Sequence, residues 1–63
     1  MDFTFDYLDQ YMNTIFEEKR ECEDEAEAKQ LAKKLFGNSN ENDLYALEVR
    51  YYNGNGYTYF IIN

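Results

Sequence analysis

Seven carboxylates fall within the eleven residues from 17 to 27, at Glu17, Glu18, Glu21, Glu23, Asp24, Glu25 and Glu27. Acids at that density suit two kinds of chemistry: a paired general acid and base, or recognition of basic groups on another macromolecule. The first needs a group with a tuned pKa inside a walled cleft, and a chain of 63 residues can hardly wall a sugar-sized one. The chain has no histidine, so acid and base roles reduce to carboxylates, Cys22, tyrosines and lysines. None is singled out by its neighbours. Cys22 lies among Glu21, Glu23 and Asp24, whose negative charge raises a thiol pKa and weakens it as a nucleophile, so it reads as a small apolar residue.

Other sites fail on spacing. Asn38, Asn40 and Asn42 alternate as the first ligands of an EF-hand loop do, but Asp43 stands where that loop needs Gly and Val49 where it needs Glu. Ser39 has no base near it in sequence, and no glycine-rich phosphate cradle is present. The expectation is a non-enzymatic chain with no catalytic residue, no cofactor and no metal.

That leaves recognition. Ten of the thirteen carboxylates lie in residues 1 to 27, where only Lys19 and Arg20 oppose them, for a charge of minus eight. Residues 28 to 63 hold three acids and four bases, so the net minus seven is concentrated in one half and makes a directional field. Direct nucleic-acid binding is disfavoured, because phosphates are met by bases and there are six. The longest wholly apolar or aromatic stretch, Tyr59 to Ile62, is far short of the ~20 residues that span a bilayer. No membrane segment or signal is expected, and one unpaired cysteine fits a reducing, cytoplasmic compartment.

These residues need a scaffold. A chain of 63 residues buries only ~60% of its unfolded surface, and a single cysteine rules out an internal disulfide. Twelve aromatics and 44% hydrophobic content favour an ordered single domain over 1–63, supplemented by close packing or self-association.

Phe3, Phe5 and Tyr7 alternate with polar residues at strand period. Leu8, Tyr11, Met12, Ile15 and Phe16 then recur at spacings of three and four, which predicts an amphipathic helix capped by Asp6 or Thr4. Asp24 and Glu27 form a capping box for a second helix, with Ala26, Ala28, Leu31, Ala32, Leu35 and Phe36 as its stripe, Lys33 and Lys34 at its end and Gly37 as its cap. The two helices are expected to break between Cys22 and Asp24. A competing reading makes Thr14 to Cys22 an edge strand, although its charged residues show no apolar alternation.

Residues 37–43 form a polar loop, and Leu44–Tyr52 with Tyr57–Ile62 flank an Asn-Gly-Asn-Gly turn as a hairpin with Tyr52 opposite Tyr57. The expected fold is α+β: two helices packed on a C-terminal antiparallel β-hairpin, with residues 2–6 available as a short third strand.

On a helix, Glu17, Glu21 and Asp24 fall on one side and Glu18, Glu21 and Glu25 on an overlapping one, spaced ~5–6 Å like charges along a nucleic-acid backbone. The ordinary account of such a run is a solvated face, and Glu25 and Glu27 already suit a helix first turn. Like-charge pairs at i and i+4 lose stability, however, which argues for a use.

In size, acidity, compactness and lack of catalytic residues, the whole chain resembles the small acidic proteins of phages and mobile elements, including anti-CRISPR proteins and other DNA mimics. No motif carries the resemblance. It implies a bacterial-host setting and occlusion of a basic, nucleic-acid-binding or PAM-reading surface, with the seven carboxylates meeting Lys and Arg on the target. A second expected surface is the hairpin face of Arg50, Tyr52, Tyr57, Tyr59 and Ile61, since Tyr and Arg are enriched at binding hot spots. The simplest partner for that face is a second copy, making a homodimer.

Overall fold

The alternation of Phe3, Phe5 and Tyr7 builds the central strand of the molecule. In the computed structural model, which describes residues 1–63, strand β1 runs Asp2–Leu8, β2 Thr14–Glu21, β3 Ala46–Tyr52 and β4 Tyr57–Ile62, with one helix, α1, at Glu25–Gly37 between β2 and β3. The four strands form one sheet in the order β2-β1-β3-β4, antiparallel at every junction. β2 and β3 therefore run parallel with β1 between them, and α1 makes the crossover, a split β-α-β arrangement.

The expectation of two helices on a terminal hairpin is overturned, because the chain has one helix and four strands. The stripe from Leu8 to Phe16 is a strand end, a turn and a strand start. Asp9 Oδ1 accepts hydrogen bonds from the backbone N–H groups of Tyr11 and Asn13, each at 2.9 Å, and this side-chain capture competes with helical bonding. Met12 has φ +64, which no right-handed helix allows. Three of the five stripe residues that a helix would have buried, Tyr11, Met12 and Phe16, are 74%, 48% and 45% exposed. The strand at residues 2–6 is likewise no appendage: β1 extends to Leu8 and pairs on both sides.

Thr14–Glu21 takes the competing edge-strand form. Phe16 stacks on Tyr7 with ring centroids 4.1 Å apart, and Glu18 and Arg20 lie across from Phe5 and Phe3. Its missing apolar alternation reflects its place at the sheet edge, where charged side chains reach solvent and discourage pairing with other chains. Ile15 is the extra residue of a bulge where the register shifts beside Tyr7 and Leu8.

α1 begins where the capping box places it. Asp24 Oδ1 accepts from the Glu27 N–H at 2.9 Å, while Glu27 reaches back to the N–H of Glu23 at 3.3 Å. Gly37 is the last helical residue, and the cap is Asn38, which donates to the Lys34 carbonyl at 3.0 Å. Ala28 and Ala32 are fully buried, and their small size lets the helix lie close on the sheet over Phe3, Phe5, Tyr7, Leu47 and Val49. Lys29 sits over the Phe60 ring, 5.5 Å from its centroid.

The hairpin keeps the expected register, with Tyr52 opposite Tyr57 and Leu47, Val49 and Tyr51 facing Ile62, Phe60 and Thr58. Asn53 Oδ1 accepts from the N–H groups of Asn55 and Gly56, and Gly54 takes φ +96, where a side chain would be strained. No helix is long and apolar enough to cross a membrane.

Candidate functional site

The sheet splits the acidic run by strand alternation. On β2, Glu18 and Arg20 share the helix-covered face with Phe3 and Phe5, whereas Glu17, Lys19 and Glu21 share the open face with Asp2, Thr4 and Asp6. Carboxylates expected in a helical row therefore point to opposite sides of a strand.

Glu17 and Glu18 are matched within the molecule. Glu18 accepts from the Tyr7 hydroxyl at 3.3 Å and lies 3.3 Å from Arg20 Nε. Burial raises the Tyr7 pKa, and the Glu18 charge and hydrogen bond raise it further. Glu17 joins a network around Arg50, whose Nη2 is 3.0 Å from Glu17 and whose Nη1 is 3.3 Å from Asp6 and 3.2 Å from Glu48. Desolvation opposes the guanidinium charge, but hydrogen bonds to Glu17 and Glu48 and the charge of Asp6 outweigh it and raise the Arg50 pKa. Asp6 is only 5% exposed, and its Oδ1 has no hydrogen-bond partner.

The other five carboxylates gather where β2 ends and α1 begins. Glu21, Glu23, Asp24 and Glu27 are exposed, and half-buried Glu25 accepts from the Tyr51 hydroxyl at 3.2 Å. Asp2 joins them, because its register partner across the β1–β2 ladder is Glu21. None of these six is in an ion pair. Lys33 and Lys34 lie toward the other end of α1, so the molecule carries an acidic pole. Sequence reasoning missed Asp2, Asp6 and Glu48; the alternation of β1 gave the signal for the two aspartates, but only the register between β1 and its neighbours brings them to these places.

The open face continues into the second expected surface. Arg50, Tyr52, Tyr57, Tyr59 and Ile61 all lie on it, as the hairpin register requires. Tyr52 and Tyr57 pack edge to face with centroids 5.5 Å apart. Arg50 is held by acids of its own chain, which leaves Tyr52, Tyr57, Tyr59 and Ile61 as the groups presented outward, at 57%, 80%, 64% and 40% exposure.

Two other features have limited chemistry. Cys22 is buried in the core, and burial followed by the charge of Glu27 pushes its thiol pKa up, so it is a protonated, poor nucleophile at neutral pH. No three carboxylates or thiols converge to hold a metal. A cleft of about 420 Å³ opens between α1 and β2, lined by Tyr7, Phe16, Arg20, Leu31, Lys34 and Leu35 among others, with no acid–base pair in it. Compared with known proteins, the chain matches no family model, no curated protein and no solved structure.

Proposed function

We propose that this chain is a non-enzymatic inhibitor that presents its acidic pole to a Lys- and Arg-rich, nucleic-acid-binding surface of a defence or DNA-processing complex in the cytoplasm of a bacterial host. Asp2, Glu21, Glu23, Asp24, Glu25 and Glu27 stand in for the phosphates that the target would otherwise bind. The observation that carries this reading is the Asp2–Glu21 pair: two carboxylates directly opposite each other on adjacent strands, neither in an ion pair. Like charges in that position lose stability, on the order of 0.2–1 kcal/mol. A small domain keeps such a pair at a cost, and attraction to a basic partner offsets it.

The display differs from a helical rod of charge. Capping fixes Asp24 and Glu27, Tyr51 holds Glu25, and Asp2 and Glu21 are fixed by the ladder, so the pole is pre-organised on rigid elements. Glu17 and Glu18 belong to intramolecular ion pairs and are assigned no part in the encounter.

The test is capture from nuclease-treated host lysate by the wild type and by an Asp2→Asn/Glu21→Gln/Glu23→Gln variant, whose changed side chains make no hydrogen bond in the fold. Nucleic-acid-binding proteins retained by the wild type at low salt should be lost from the variant and eluted by moderate salt. Equal capture by both proteins would exclude the acidic pole as the binding surface.

A further inference from the structure

The two edges of the sheet are chemically opposite, and backbone parity shows what each offers. Asn53 donates to the Gly56 carbonyl at 3.0 Å, so residues 53 and 56 belong to the hydrogen-bonded set of the hairpin ladder. Hydrogen-bonded and non-bonded pairs alternate along an antiparallel ladder. Thr58, Phe60 and Ile62 therefore bond to β3, and the N–H and C=O groups of Tyr57, Tyr59 and Ile61 point away from it, along the free edge. At the far edge, the Cys22 N–H donates to the Met1 carbonyl at 3.0 Å, and the same alternation leaves Glu17, Lys19 and Glu21 with the outward backbone groups of β2.

Beyond its bulge the β2 edge is thus flanked by charge at each outward position, Glu17, Lys19 and Glu21, the usual protection of an edge strand. β4, YTYFII, has no charged residue, no proline, no glycine and no bulge. Its three outward-bonding positions are also the exposed ones, Tyr57, Tyr59 and Ile61. An unprotected edge of this kind is a template for strand addition.

We propose that β4 pairs antiparallel with β4 of a second copy about a two-fold axis at Tyr59, joining two sheets into one of eight strands. A two-fold axis makes each residue's partner fixed by a constant sum of residue numbers. Centring it on Tyr59 is the register that engages all three outward positions: Tyr59 with the second copy's Tyr59, and Tyr57 with the second copy's Ile61 in both directions. On the open face this places tyrosine against tyrosine at the axis, with an aromatic–aliphatic pair on each side, the favourable cross-strand combinations.

Three features favour a second copy as the occupant. The edge is self-complementary under a two-fold axis. The half of the chain that carries β4 has charge plus one and β4 itself holds no charged residue, so pairing through it sets no like charges opposite each other in the new ladder. The outer β2 strands would stand about seven strand spacings apart, ~34 Å, several Debye lengths at physiological salt. Pairing also uses up both β4 edges and leaves only charged β2 edges outside, so assembly stops at two. The inference stands on the β4 edge and is independent of the acidic pole.

Sedimentation equilibrium or light scattering of the intact chain at about 100 μM, where mass action favours a weak dimer, should return twice the 7.6 kDa monomer mass. Tyr59→Pro removes an N–H that β3 does not use, and Tyr59→Lys places a charge at the axis without touching the core; each should halve the mass with the far-ultraviolet circular dichroism unchanged. Amide exchange at Tyr57, Tyr59 and Ile61 should be slow in the wild type and faster by at least tenfold in Tyr59→Lys. A monomeric wild type overturns the proposal, as does a dimer that survives Tyr59→Lys or one in which those three amides exchange freely.

Discussion

Arg50 and Glu17 meet across the open face of the sheet, Nη2 to Oε2 at 3.0 Å, although β1 lies between their strands. The reach is possible because Asp6 on β1 is a short acid, nearly buried, and the guanidinium spans it to the β2 edge. Arg50 thereby ties three strands together and provides the only ion pair of a buried carboxylate.

Removing that cation should be costly. Arg50→Leu leaves Asp6 at 5% exposure with neither oxygen partnered, and should destabilise the fold by about 2–3 kcal/mol, below the usual loss for a fully buried pair because Arg50 itself is 37% exposed. Asp6→Asn in the same background should recover much of the loss, since the buried charge is then gone. Urea unfolding of the two single variants and the double gives the coupling energy; additive effects would mean that Asp6 and Arg50 do not depend on each other.

Met12 gives a prediction of opposite sign. At φ +64 a methionine is held where a side chain crowds its own backbone, and the residue is half-exposed in the β1–β2 turn. Met12→Gly should therefore raise stability by about 1 kcal/mol. Were the segment a helix, the same change would lower it by about as much. The shift of the urea midpoint distinguishes the two by sign alone.

This residue also marks where the sequence misleads. Spacings of three and four from Leu8 to Phe16 coincide with a strand end, a turn and a strand start, because a five-residue turn between strands returns apolar residues at similar intervals. The side-chain bonds of Asp9, which decide the matter, are visible as a residue type but not as a geometry. α1 and the β3–β4 hairpin were legible, since Asp24 with Glu27 and Asn53 to Gly56 are local signals whose effect does not depend on the rest of the chain. β2 was legible only as an alternative, as edge strands need no apolar face. The pairing of Glu17 with Arg50, 33 residues apart, follows from two ladder registers that no local pattern encodes.

Alkaline pH should weaken the fold. Burial raises the pKa of Tyr7, with Glu18 adding to it, and burial followed by Glu27 raises that of Cys22. Both groups are neutral when protonated and hold their protons more tightly in the folded state. Their contribution is complete below the ordinary thiol and phenol range, about pH 8.5 to 10, and is lost as pH climbs through the raised values. The urea midpoint should be flat from neutral pH to about 8 and fall beyond it, and Tyr7→Phe with Cys22→Ala should flatten the fall. An unchanged slope in that double variant would place the alkaline loss elsewhere.

The acidic pole predicts a conflict between stability and binding. Glu21→Lys converts the Asp2–Glu21 repulsion into an attraction across the same ladder position, without burying anything new. Stability at low salt should rise by about 0.5 kcal/mol, and most of the gain should vanish in 1 M salt, where exposed charges are screened within ~3 Å. The same variant should lose capture of a basic partner, since it reverses one charge at the centre of the pole. A chain that gains stability and keeps its partner would show that the Asp2–Glu21 pair has no functional use; a chain that gains stability and loses its partner ties the retained repulsion to recognition.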